Sequence, residues 1–106
     1  SAAAAIGPLD GLYPLTATAA GTDPYVLHLV VLQNGATVGI AFLDPFFGDY
    51  HFGFETLDAE QRLQGPLFFA NGTQAGAFNL RFQDGSVEGS ATLYDSPFVF
   101  SGAKAF

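Results

Sequence analysis

The residues of this chain best equipped for chemistry are two histidines and ten carboxylates. One histidine sits in an unusual aromatic segment, Phe46-Phe47-Gly48-Asp49-Tyr50-His51-Phe52-Gly53-Phe54, with Glu55 just beyond. In a strand beginning at Asp49, side chains alternate between faces, so Tyr50, Phe52 and Phe54 share one face and Asp49, His51 and Glu55 the other. Carboxylate and imidazole are suitable metal donors. At a rise of about 3.3 Å per residue, however, positions 49 and 55 stand about 20 Å apart, too far to share one ion. No metal site is expected. In the structural reading the aromatic face is core and the polar face is solvated. In the functional reading Phe46 and Phe47 stay exposed at a turn, with Tyr50 and His51 in the same segment, and anchor a partner or ligand. Aromatic side chains suit that role because they offer much contact area for little lost entropy.

The other histidine, His28, lies in Val26-Leu27-His28-Leu29-Val30. A neutral, hydrogen-bonded imidazole is the structural reading; a ligand-contacting or pH-sensing one is the sharper reading.

Catalysis finds little support. A Ser-His-Asp triad needs three convergent groups, and Ser86, Ser90, Ser96 and Ser101 lie in no Gly-x-Ser-x-Gly elbow. Glu55, Glu60 and Glu88 show no spacing suited to paired-carboxylate catalysis. Phosphate-loop and dinucleotide motifs are absent, and the lack of cysteine excludes thiolate nucleophiles, thiolate metal sites and disulfides. No catalytic residue is assigned, no cofactor is expected, and the balance leans against an enzyme. Asn71-Gly72-Thr73 matches a glycosylation acceptor but reads first as a turn.

Composition narrows the partners. The formal net charge is −7 with only three basic residues, Arg62, Arg81 and Lys104. Nucleic acid and anionic lipid both demand clustered cations, so neither is expected. The longest apolar run, Tyr25 to Leu32, is far short of the roughly 18 residues a membrane-spanning helix needs. Ser1-Ala2-Ala3-Ala4-Ala5 has the small-residue character found just beyond a cleaved signal peptide, so a secreted or extracytoplasmic location is expected.

Strands must position these residues. Asp84-Gly85 favours a two-residue hairpin loop. Folding there sets Phe82 against Val87, Leu80 against Gly89 and Phe78 against Ala91 on an apolar face, with Arg81 against Glu88 and Asn79 against Ser90 on a polar one. That period-two alternation marks half-buried strands. A second hairpin at Asn34-Gly35 would pair Val31 with Val38, Leu29 with Ile40 and Leu27 with Phe42. Its other face would set Val30 against Gly39, His28 against Ala41 and Val26 against Leu43. It is apolar on both faces, so one is core and the other is covered or a contact surface.

Asn71-Gly72, Phe47-Gly48-Asp49 and Leu57-Asp58-Ala59-Glu60 read as further turns, and Ser96-Pro97 as a break before a last strand, Phe98 to Phe106. A loose Gly repeat (Gly39, Gly53, Gly76, Gly89) would bend strands toward closure. The count is about eight short antiparallel strands, near 11–19, 24–33, 36–44, 49–57, 61–70, 73–83, 86–95 and 98–106. They form a meander in a single all-β domain, residues 1–106, with 1–9 an irregular arm. A closed or nearly closed barrel is expected, a β-sandwich being the alternative. The function expected is non-catalytic binding or protein interaction through an apolar and aromatic surface of Val26, His28, Val30, Phe46, Phe47, Tyr50 and His51. The alternatives are a self-assembling structural subunit and a barrel carrier or enzyme holding a small apolar ligand.

Overall fold

A computed structural model describes residues 8–44 and 49–106. Eight strands follow in chain order: β1 (Gly11–Ala19), β2 (Tyr25–Asn34), β3 (Thr37–Asp44), β4 (Asp49–Thr56), β5 (Arg62–Phe68), β6 (Gln74–Gln83), β7 (Ser86–Leu93) and β8 (Ser96–Ala103). Each pairs antiparallel with the next, and β1 also pairs with β8 through Ala19–Phe98 to Thr16–Ser101, closing the meander into a barrel.

The hairpin at Asp84-Gly85 forms in the expected register, with Gln83 facing Ser86 and Phe82 facing Val87. Both loop residues have positive φ, 51° and 81°, as a type I′ turn requires. The β2–β3 hairpin departs from expectation. Asn34 pairs with Thr37, so the loop is Gly35-Ala36, and Val30 faces Ala41, His28 faces Leu43 and Val31 faces Ile40. Only Gly35 needs the left-handed conformation there, at φ 62°, which fits glycine at the first loop position. The slip is two residues, so every side chain keeps its expected face.

Ser96 and Pro97 belong to β8 rather than breaking the chain before it; the turn is Tyr94-Asp95. Proline is tolerated because the β1 ladder reaches β8 only from Phe98 onward, leaving no partner for an N–H at position 97. The turns at Asp58 and Asn71 form as expected. The Asp58 carboxylate accepts from the Glu60 and Arg62 amides at 2.8 and 2.9 Å, and Asn71 Oδ1 accepts from the Thr73 amide at 2.9 Å.

The interior is filled. Leu15, Leu29, Val31, Val38, Leu63, Leu67 and Leu80 are fully buried, with Phe42, Phe78, Phe82 and Phe100 packed among them. The cavity left inside measures about 10 Å³, room for one water molecule at most. Eight strands enclose just this kind of side-chain core.

In β4 the aromatic-core reading is overturned. Phe42 pairs with His51, Ile40 with Gly53 and Val38 with Glu55, so the odd-numbered positions of β4 continue the inward face of β3. His51 is fully buried, while Tyr50 and Phe54 are 46% and 69% exposed. Glycine decides this choice of face. A methyl group at Gly53 would collide with the Phe78 ring, so the interior there is already taken by an aromatic from β6. On the outer face, Gly39 leaves space for Phe54, whose ring would lie 3.0 Å from any Cβ at that position.

The β4–β5 seam is the thinnest part of the wall, with Phe52 and Phe68 its one paired position among the described residues. A register irregularity between Leu67 and Phe68 lies beside it.

Candidate functional site

Two regions gather the residues of functional interest: an outer wall on β2–β4 and one end of the barrel interior.

The outer wall follows from register. Side chains paired across antiparallel strands lie on the same side, so cross-strand rows can be traced directly. One row runs Leu12, Val30, Ala41, Phe52 and Phe68 over five strands. The next runs Pro14, His28, Leu43 and Tyr50, and a third Leu32, Gly39 and Phe54. Val26, Leu32, Leu43, Tyr50 and Phe54 are 40–69% exposed. His28 and Val30 are half-buried within the rows. None of these positions carries a carboxylate. Large contiguous apolar surfaces are uncommon on soluble monomers.

The opposite wall is chemically different. Asn79, Arg81, Glu88, Ser90 and Ser101 point outward there, lining an open polar depression of about 470 Å³. With polar and charged side chains on that side, the apolar surface does not encircle the barrel as a lipid-facing girdle would. No helix among the described residues is long and apolar enough to cross a membrane.

His51 belongs to the second region. It lies at the barrel end bounded by the β1–β2, β3–β4, β5–β6 and β7–β8 connections, hereafter the upper end. Asp44, at the close of β3, is also buried there. The Tyr25 hydroxyl donates to Asp44 Oδ2 at 3.4 Å. Burial and the neighbouring carboxylate push the Tyr25 hydroxyl up to about 12, because both oppose a phenolate. His51 packs against Phe69 at 5.4 Å and Tyr94 at 6.4 Å between ring centroids, and Phe69 and Tyr94 stand 5.8 Å apart. Tyr94 and Asp95 form the β7–β8 turn at φ 52° and 62°, a left-handed pair without glycine, which is uncommon for so bulky a residue as tyrosine.

Of the residues singled out from the sequence, Val26, His28, Val30 and Tyr50 are brought together on the outer wall. His51 is separated from them by the thickness of the sheet. Phe46 and Phe47 lie outside the described residues, as does most of the expected turn at residues 47–49. Sequence reasoning placed Leu32 and Leu43 on the second face of the hairpin without naming them as site residues, and it did not select Phe54 for the wall, nor Tyr25, Asp44 and Tyr94 for the upper end. The two-sided apolarity of the β2–β3 hairpin was a usable signal for Leu32 and Leu43. Among the described residues, no three His, Asp or Glu side chains converge so as to hold a metal ion.

Comparison with protein-family models, with curated proteins and with solved structures found no match to this chain.

Proposed function

We propose that this chain is a non-catalytic binding domain whose working surface is the outer wall of β2–β4, and that its occupant is an apolar protein surface with a basic rim. The observation that carries the reading is the set of cross-strand rows ending in Leu32, Leu43, Tyr50 and Phe54, all substantially exposed. Charge selects the occupant. Two copies meeting on this wall would bring together two bodies of formal charge −7, whereas a basic rim is drawn to a chain of that net charge. The filled interior gives no support to a carrier with an internal pocket, and closure leaves the thin β4–β5 seam as the one place where strand edges are sparsely paired among the described residues.

The test uses the double variant Leu32→Asp/Phe54→Asp with a Leu/Lys amphipathic peptide as probe and its Leu/Glu counterpart as control. The wild-type chain should bind the Leu/Lys peptide, more weakly as salt rises, and the Leu/Glu peptide far less. The double variant should keep its unfolding temperature and lose the binding. A concentration-dependent dimer of the wild-type chain that the double variant abolishes would replace the partner with a second copy. Unfolding of the double variant would mean that this wall is core.

A further inference from the structure

We infer that His28 gates the outer wall: granted that this wall is a binding surface, as proposed, it accepts its apolar partner while the imidazole is neutral and releases it once the imidazole is protonated.

Register places His28 within the wall rather than at its rim. It stands in the row Pro14, His28, Leu43 and Tyr50, between the row through Val30 and Ala41 and the pair Thr16 and Val26. The ring is half-buried, while Val26, Leu43 and Tyr50 in these rows are 51%, 40% and 46% exposed. A partner that covers those three side chains covers the imidazole with them.

The surroundings offer nothing to hold a charge. Among the described residues, the neighbours that β1, β2 and β3 turn toward His28 are apolar or, for Thr16, neutral, and the Tyr50 hydroxyl on β4 is the one titratable group in these rows. Imidazole changes its charge between pH 5 and 8. On the free wall a charged ring keeps part of its water. Beneath an apolar partner it loses that water with no carboxylate to replace it, which is costly. A basic rim on the partner adds like-charge repulsion. Both effects drive release on acidification. His51, the other histidine, is fully buried on the inner face of β4 and lies outside the contact.

The experiment follows a labelled Leu/Lys amphipathic peptide by fluorescence anisotropy, with the intact chain, at about pH 7.5 and about pH 5.5 and at constant salt. Carboxylates stay ionised at both values, while imidazole passes from mostly neutral to mostly charged. With only the neutral form able to dock, affinity follows its population, so the wild-type chain should bind about tenfold more weakly at the lower pH. His28→Gln, which has no proton to gain, should show no difference between the two pH values, whatever its affinity. Imidazole NMR of the wild-type chain is a second readout that needs no variant: saturating peptide should move the His28 titration to lower pH, because coupling between proton and partner is reciprocal. Should His28→Gln fail to fold, that titration decides the matter. Equal wild-type affinity at both pH values with an unmoved titration would overturn the gate and leave the wall as a binding surface. A tenfold loss that persists in His28→Gln would assign the effect to another group and overturn it as well. Binding at neither pH would overturn the gate and the wall together.

Discussion

The two ends of the barrel are built from similar parts in opposite ways. Each has a tyrosine near an aspartate, and each has a two-residue β-turn with both residues left-handed. At the lower end, Tyr13 is buried, its hydroxyl donates to the Leu9 carbonyl at 2.8 Å, and its ring meets Phe82 edge-on at 5.9 Å. The Asp10 carboxylate accepts from the Gln33 amide, and Gln33 Oε1 accepts from the Leu9 amide at 3.0 Å. The chain end returns to the same place, with the Ala105 amide donating to the Leu12 carbonyl and the Lys104 amide to the Gly85 carbonyl, both at 2.8 Å. That end is tied by backbone hydrogen bonds between remote segments. The upper end instead buries Asp44 and His51 among aromatics and leaves a pocket beside them. The contrast teaches that one end of this barrel is tied by hydrogen bonds between remote segments, whereas the other packs side chains around buried polar groups.

Truncating the two tyrosines tests that division most forcefully. Tyr13→Ala should cost about 3–5 kcal/mol, because it empties a packed position in the core. Tyr25→Ala should cost less than half as much, since its ring is only half-buried and already borders a pocket. Urea unfolding of both variants measures the difference, and equal losses would mean that the ends are equally rigid.

A smaller effect separates the two turns. Asp84-Gly85 has glycine where Tyr94-Asp95 has aspartate, at φ 81° and 62°. Gly85→Ala should lower stability by about 1 kcal/mol, because alanine resists that backbone conformation. Asp95→Gly should raise it by about 0.5–1 kcal/mol for the converse reason. Opposite signs in thermal unfolding would show the upper turn to be the strained one; a loss from Asp95→Gly would show that the aspartate side chain compensates its own strain.

Much of this was legible in the sequence, and what was not has physical reasons. The Asp84-Gly85 hairpin could be read to the residue because turn chemistry and period-two alternation agree there. The Asn34-Gly35 hairpin could be read by face but not by register: a single glycine serves either loop position, and an apolar pattern on both faces does not penalise a two-residue slip. The orientation of β4 was not legible at all. Alternation reports that two faces differ, not which one is inside, and the deciding facts are long-range: the Phe78 ring under Gly53 and the Phe54 ring over Gly39. Barrel closure likewise depends on β1 meeting β8, residues 79 to 85 positions apart. The upper-end cluster draws Tyr25, Asp44, His51 and Tyr94 from four strand ends or turns, so no local motif announces it.

The finest test of the comparison is alkaline pH. Both tyrosine hydroxyls are held above the usual phenol range, Tyr13 by burial and then by Asp10, Tyr25 by burial and then by Asp44. A raised pKa in the folded state means that folding favours the protonated phenol. The resulting stability is fully present below the unfolded value near 10 and is lost as pH rises toward the folded value. For Tyr25, pushed up to about 12, the loss should spread between pH 10 and 12. Urea midpoints across that window should fall for the wild-type chain and fall less steeply for Tyr25→Phe, which has no proton to lose. Asp44→Asn separates the causes. It removes the carboxylate's repulsion of a phenolate while burial remains, so absorbance titration should show Tyr25 ionising at lower pH and Tyr13 unchanged. If both tyrosines moved together, the two ends would be coupled through the core.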